Sequence, residues 1–155
     1  MSTAKKLDEN GLALIKHCEG LALKAYPDPA SQDKTYSIGY GHFGVSKDLT
    51  CTEEEATAWL LADVANEEAD VNIMVKTELI QGQFNALVSF VHNEGSGHFQ
   101  KSTMLKLLNA GDIAGAYDEF PKWNKVNGVR DKGLAARRVL EQAEFAGKGW
   151  RSALC

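Results

Sequence analysis

The chain has 155 residues, of which 44% are apolar and 25% charged, and a formal net charge of −4. This length suits one domain with a substantial core, or two small lobes that share a connection. The acidic balance, without a basic stripe, excludes nucleic acid as the expected partner, and the longest apolar runs are too short for a signal peptide or a membrane span.

The first predicted element is a helix from about residue 9 to residue 19. Asp8 is a plausible N-cap, apolar residues recur at helical spacing, and Gly20 supplies a stop. Glu19 therefore lies at the helix C-terminus, where the helix dipole disfavours negative charge. A carboxylate kept there tends towards the protonated form that a general acid needs near neutral pH.

The stretch 21–45 predicts short strands and turns, because prolines, glycines and alternating aromatics follow one another in it. Asp28 lies there between two prolines, in a stiff loop. Paired carboxylates that flank a scissile bond are the usual equipment for glycoside hydrolysis, so Glu19 and Asp28 are candidates for such a pair. From the pattern alone, a solvated last-turn glutamate and a turn aspartate are the favoured interpretation.

A long helix is predicted next. Thr52 and Glu55 have the spacing of a capping box, three glutamates fill the first turn, and apolar residues recur at helical intervals as far as Met74. About twenty residues of helix span ~30 Å, which is long enough to connect two lobes.

The remainder is predicted to be helical throughout. One apolar stripe covers residues 81–92, Ser102 and Asp112 begin two shorter helices, and Pro121 stops the second of these. A last helix is predicted over residues 133–146. The predicted architecture is a small mixed lobe near residues 15–55 and a helical lobe after about residue 75.

Three blocks of the sequence resemble those of the phage-type lysozymes, the endolysins of glycoside hydrolase family 24. They are GLALIKHCEGLALKAYPD with YSIGYGH, then SFVHNEGSGHFQKSTMLKLLNAGD, then WNKVNGVRDKGLAARRVLE, and they follow the family's order over most of the chain. The resemblance implies an α+β, predominantly helical, lysozyme-like fold. A small mixed β-hairpin lobe and a larger helical lobe, which includes the N-terminal helix, would be joined by a long helix in one catalytic domain over residues 1–155.

The resemblance also implies catalytic roles. Glu19 would protonate the glycosidic oxygen as the general acid, and Asp28 would stabilise the oxocarbenium-like transition state and help to position the attacking water. Ser37 stands where the family has a threonine and would hold that water through its hydroxyl. Eight residues separate Asp28 from Ser37, where the family usually has five, so PASQDK is expected to form a longer loop, with Thr35 as the alternative to Ser37. The family is regarded as inverting, which requires carboxylates roughly 6.5–9.5 Å apart.

Other residues receive supporting roles by resemblance. Asn93 would face the substrate cleft and bind an N-acetyl group, with turn capping as the alternative. His42 closes the IGYGH strand, where a structural hydrogen bond is favoured and substrate binding is the alternative. Arg137 and Arg138 are interpreted as part of a basic patch on the last helix, and Arg137 resembles a family arginine that approaches the catalytic glutamate.

No cofactor or metal is expected. His92, His98 and Glu94 match no standard ligand spacing. The three cysteines are odd in number and widely spaced, which is typical neither of a disulfide framework nor of a zinc site.

The resemblance implies an N-acetylmuramidase that hydrolyses the β-1,4 bond between N-acetylmuramic acid and N-acetylglucosamine in bacterial peptidoglycan. A lytic transglycosylase, or a non-catalytic peptidoglycan-binding or virion protein with a lysozyme fold, are the alternatives. The protein is expected to be a monomer in the host cytoplasm, without stable membrane insertion. It would reach the cell wall after a holin has disrupted the membrane.

Overall fold

The computed structural model describes residues 3–28 and 35–154. Among them the fold is α+β and predominantly helical, as predicted. The α-helices are α1 (Glu9–Glu19), α2 (Glu53–Met74), α3 (Gln81–Glu94), α4 (Ser96–Gln100), α5 (Thr103–Asn109), α6 (Ile113–Glu119) and α7 (Lys132–Phe145). The strands are β1 (Ala22–Pro27), β2 (Tyr36–Gly39), β3 (His42–Val45), β4 (Lys125–Val126) and β5 (Val129–Arg130). None of the helices in these two ranges combines the length and the hydrophobicity that a membrane-spanning helix requires.

The chain groups into two compact units. The sheet unit is Ile15–Ala65, and the helical unit combines residues 3–14 with residues 66–154. Both α1 and α2 contribute residues to each unit.

The predicted ends of α1 and α2 are confirmed. The side chain of Asp8 accepts a hydrogen bond from the backbone N–H of Gly11 at 3.0 Å and caps α1. At the start of α2, Thr52 Oγ1 accepts from the N–H of Glu55 at 3.1 Å, and Glu55 Oε1 accepts from the N–H of Thr52 at 3.0 Å. These reciprocal bonds satisfy backbone donors that a helix N-terminus leaves without partners.

The sheet unit contains an antiparallel sheet in the order β1–β2–β3. Gly39 ends β2 with φ +66°, and a Cβ atom at this position would lie 2.9 Å from the Cβ of Ala56. Only glycine combines this backbone conformation with so close an approach to α2. His42 begins β3 rather than closing the preceding strand, so this detail of the prediction is wrong.

The helical unit has its core around α3. Phe90 is fully buried and makes edge-to-face contacts with Phe99, Phe120 and Trp123, at centroid distances of 6.2, 5.7 and 5.3 Å. The guanidinium of Arg138 lies 4.9 Å from the centroid of the same ring. Phe90 thus joins α3 to α4, α7 and the turn after α6.

The expectation that the remainder is helical throughout is wrong at one place. Between α6 and α7 the chain forms an antiparallel hairpin of β4 and β5. Its two-residue turn is Asn127 with φ 51° and Gly128 with φ 80°. Two positive φ values in a two-residue loop are typical of a type I′ turn, whose twist matches that of the strands. Pro121 does end α6, although a single 3-10 turn, Phe120–Lys122, includes it.

Candidate active site

In the sheet unit, the β1–β2 register brings four polar residues to one face of the sheet. They are the predicted site residues Asp28, Thr35 and Ser37, and Tyr26 beside them. Tyr26 pairs with Ser37. The ladder continues beyond β1, where the backbone N–H of Asp28 donates to the carbonyl of Thr35 at 2.9 Å. Residues that are paired directly, or that lie two positions apart, share a face of a sheet. Asp28 and both candidate hydroxyls therefore lie on the same face as Tyr26.

Ser37 and Thr35 differ in exposure. Ser37 is 5% exposed, whereas Thr35 is half-buried. The longer loop predicted at PASQDK, and the second proline beside Asp28, lie outside the described residues. Ser37 and Thr35 therefore both remain candidates for the residue that holds the water.

Glu19 is the last residue of α1 and is half-buried. Its carboxylate lies beside Gly41 in the β2–β3 turn, since a Cβ atom built at Gly41 would be 3.9 Å from Glu19 Oε2. A glycine at this turn places no side chain against the carboxylate.

Tyr26 lies within range of the negative charges of both Glu19 and Asp28. Burial raises the pKa of its hydroxyl above 10.0, and the negative charges of Glu19 and Asp28 raise it further. Both charges favour the protonated phenol, so Tyr26 is a hydroxyl donor at neutral pH. The sequence reasoning missed Tyr26, although its position two residues before Asp28 in an extended segment was a usable signal.

His42 is held by two residues of α2. Its Nδ1 lies 2.8 Å from Asp63 Oδ2, and its ring stacks on Trp59 at a centroid distance of 4.9 Å with a 13° interplanar angle. The structural role favoured for His42 is thus supported by two contacts. Its role in substrate binding stays a prediction.

In the helical unit, Arg137 and Arg138 are buried, so their interpretation as a basic surface patch is wrong. Arg138 is fully buried and Arg137 is 6% exposed. Arg137 Nη2 donates to the backbone carbonyl of Ser89 at 3.1 Å, and Arg138 donates to Asn93 Oδ1. Asn93 is half-buried in the last turn of α3, where Arg138 orients its side-chain amide.

Both arginines also meet Glu141, which is fully buried. Arg138 Nε lies 3.0 Å from one carboxylate oxygen, and Arg137 Nε lies 3.3 Å from the other, to which Ser89 Oγ donates at 2.6 Å. Burial raises the pKa of Glu141, while the two positive charges and the hydroxyl oppose the rise. Buried charges need such partners.

The approach of Arg137 to Glu19, and the cleft-facing role of Asn93, stay predictions.

The histidines considered for a metal site have other partners. His92 Nδ1 lies 2.6 Å from Glu67 Oε1, and His98 Nδ1 lies 2.8 Å from the carbonyl of Glu94. Across residues 3–28 and 35–154, no group of three or more His, Cys, Asp or Glu side chains is arranged to hold a metal ion.

Comparison with known families gives a match to the model described as phage lysozyme over residues 16–141. The endolysin of Acyrthosiphon pisum secondary endosymbiont phage 1 is 44% identical over 144 residues, which cover 90% of this chain and 97% of that protein. The endolysin of Bacillus phage PZA is 44% identical over 142 residues, covering 90% of this chain. The chain spans only 55% of the length of that relative.

Two further similarities bear on function. The SAR-endolysin of bacteriophage PS119 is 37% identical over 128 residues, covering 80% of this chain and 74% of that protein. Among solved structures, the muramidase domain of SpmX from Asticaccaulis excentricus is 35% identical with a TM-score of 0.84, covering 90% of this chain and 97% of that one.

Proposed function

The chain belongs to the phage lysozyme family, and on that premise we propose that it is a phage endolysin whose residues 1–155 form a single catalytic domain. Its proposed reaction is the hydrolysis of the β-1,4 bond between N-acetylmuramic acid and N-acetylglucosamine in peptidoglycan. The observation that carries the proposal is that one unit holds the Glu19 carboxylate beside the β2–β3 turn and Asp28 next to the paired Tyr26 and Ser37. The name of the SpmX muramidase domain supports the same chemistry.

The proposed mechanism uses both carboxylates. Glu19 gives its proton to the glycosidic oxygen as the bond from that oxygen to the anomeric carbon breaks, and the leaving sugar departs as an alcohol. Asp28 stabilises the positive charge that develops on the remaining sugar. A water held by Ser37 or Thr35 attacks the anomeric carbon, and its proton passes to Asp28.

Residues of the helical unit have proposed supporting roles. Asn93, oriented by Arg138, would bind an N-acetyl group of the substrate. Arg137 would offset the unfavourable helix dipole at Glu19. In the sheet unit, His42 is proposed to contact the glycan through the ring edge that Asp63 does not occupy.

The test of the reaction compares Glu19→Gln with Glu9→Gln, the same change at the exposed first residue of α1. We measure the release of reducing ends from purified sacculi. Loss of a general acid costs about 10²–10⁴-fold in rate, so Glu19→Gln should be nearly inactive and Glu9→Gln fully active. Equal activity of the two variants would show that Glu19 is not the acid.

Mass spectrometry of the products separates the alternatives. Hydrolysis gives reducing sugars, whereas a lytic transglycosylase, which needs no partner aspartate, gives 1,6-anhydro products. Asp28→Asn should therefore abolish product formation by a hydrolase. Binding to sacculi without release of any product would identify the non-catalytic alternative.

We propose that the protein acts as a monomer on the cell wall and reaches it from the host cytoplasm after a holin disrupts the membrane. The competing route is release of the enzyme from the membrane itself. The name of the bacteriophage PS119 relative, SAR-endolysin, hints at this route. Expression of the chain in a bacterial host, with and without a permeabilising agent, distinguishes the routes. Lysis without the agent would contradict holin dependence, and sedimentation velocity tests the monomer.

A further inference from the structure

The β4–β5 hairpin of the helical unit carries a cross-strand pair of like charges. The register places Lys125 directly opposite Arg130. The backbone N–H of Asp131 donates to the carbonyl of Asn124 at 2.7 Å, so this neighbouring pair is hydrogen-bonded. Antiparallel pairs alternate between hydrogen-bonded and closely spaced positions, and the Cα atoms of Lys125 and Arg130 are therefore about 4.5 Å apart.

Such a pair does not stabilise the hairpin, because like charges directly opposite each other repel. Lys125 and Arg130 are exposed, and among the described residues neither has an acidic partner. The nearest carboxylate in sequence, Asp131, caps α7 by accepting from the N–H of Leu134 at 2.8 Å. The pair occurs in a chain whose net charge is −4. Within the part of the chain that the structure describes, no ion pair offsets this repulsion, so both cations are available to an anionic ligand.

The hairpin presents these charges in a fixed position. The Asn127–Gly128 turn holds the two strands in register, and Trp123 at the base of the hairpin packs edge-to-face on the buried ring of Phe90. A ligand therefore loses little free energy in ordering the hairpin when it binds. Lys132, exposed at the first turn of α7, adds a third cation next to the pair.

We propose that Lys125 and Arg130 bind the free carboxylates of the peptide stems that the glycan strand carries. The inference rests on the proposed function, which makes that strand the substrate. The sugars of a strand that carries peptide stems are uncharged, because the lactyl carboxyl of each N-acetylmuramic acid forms the amide bond to its stem. The negative charge of the strand therefore comes from the free carboxylates of the stems. Arginine binds a carboxylate with two parallel N–H donors and lysine adds a point charge, which suits one carboxylate between them.

The test uses the double variant Lys125→Gln/Arg130→Gln in a Glu19→Gln background, so that the substrate is bound but not consumed. The matched control is Lys106→Gln/Lys148→Gln, which removes two charges from exposed lysines elsewhere in the helical unit. Binding is measured by co-sedimentation with intact sacculi and with sacculi stripped of their stems by an amidase. We expect the hairpin variant to bind intact sacculi about 3- to 10-fold more weakly, as two exposed ion pairs imply.

The same variant should bind stripped sacculi unchanged, and the control should bind both substrates as the parent does. The urea midpoint of the hairpin variant should be unchanged or higher, because a repulsion is removed. Lys125→Arg/Arg130→Lys, which keeps both charges, should restore binding. A structural role would instead lower the midpoint and leave stem dependence unaffected.

Three results would overturn the inference. Equal weakening by the hairpin and control variants would indicate general charge attraction. Equal weakening on intact and stripped sacculi would indicate contact with the glycan. If the hairpin variant lost binding to phosphatidylglycerol vesicles but kept its stem-dependent binding to sacculi, the ligand of the pair would be a membrane surface. Failure of the proposed function is seen separately, as absence of reducing-end release by the chain with Glu19 intact.

Discussion

The close approach of Gly39 to α2 allows a sharp test of how the sheet unit holds the strand that carries Ser37. Gly39→Ala adds a methyl group 2.9 Å from the Cβ of Ala56, at a residue with φ +66°. The left-handed conformation costs about 1–2 kcal/mol and overpacking about 1–3 kcal/mol, so the variant should lose about 2–5 kcal/mol of unfolding free energy. Gly44→Ala is the matched control, because Gly44 has φ +83° and no atom within 4 Å of an added Cβ.

Urea denaturation followed by circular dichroism measures both variants. Gly44→Ala should lose only the conformational part, about 1–2 kcal/mol. Ala56→Gly removes the opposing methyl group and should rescue Gly39→Ala with a coupling energy of about 1–3 kcal/mol. Gly39→Ala should also slow reducing-end release, because the displaced end of β2 carries Ser37. Equal losses for the two glycine variants, or no rescue by Ala56→Gly, would refute the close packing of β2 on α2.

Three further predictions concern single residues. The pKa of Tyr26, followed by NMR of labelled tyrosine, should fall in Glu19→Gln because a negative charge is removed. The stability that is linked to the raised pKa of Tyr26 is complete below pH 10.0 and is lost as the pH rises through the pKa of the folded state. Asn72→Ala should free the segment around Lys5, whose N–H and carbonyl both bond the Asn72 amide at 2.9 Å, and amide exchange there should accelerate. Phe90→Leu should cost about 2–3 kcal/mol through lost ring contacts, whereas Phe43→Leu, at a ring that is 58% exposed, should leave the urea midpoint unchanged.

The helix ends could be predicted from the sequence because their determinants are local. A cap and the donor that it satisfies lie within three residues of each other, as Asp8 and Gly11 do. The capping box of Thr52 and Glu55 has the same range. Such signals need no knowledge of tertiary structure.

The β4–β5 hairpin was missed although Asn127–Gly128 is a strong short-range hairpin signal. Each strand has only two residues, which is too short to show the alternation that identifies a strand. Helical patterns on either side therefore dominated the interpretation.

The burial of Arg137 and Arg138 depends on residues distant in sequence. Their partners Ser89 and Asn93 lie 48 and 45 positions away. Two adjacent arginines in a helix have no local feature that distinguishes a buried pair from an exposed one. The position of Tyr26 could not be predicted for a related reason, since the β1–β2 register that pairs it with Ser37 is a tertiary property.

The helical unit is discontinuous in sequence, and this has a consequence for the order in which the protein folds during synthesis. The N–H of the Trp150 indole donates to the carbonyl of Asn10 at 3.1 Å, across 140 positions. The sheet unit, Ile15–Ala65, is continuous and leaves the ribosome early. Translation at about 5–20 residues per second places Trp150 about 4–17 s after Ala65. During that interval residues 3–14 lack their C-terminal contacts, because Trp150 has not yet been synthesised. The segment that carries Glu19 and Asp28 has by then been synthesised in full.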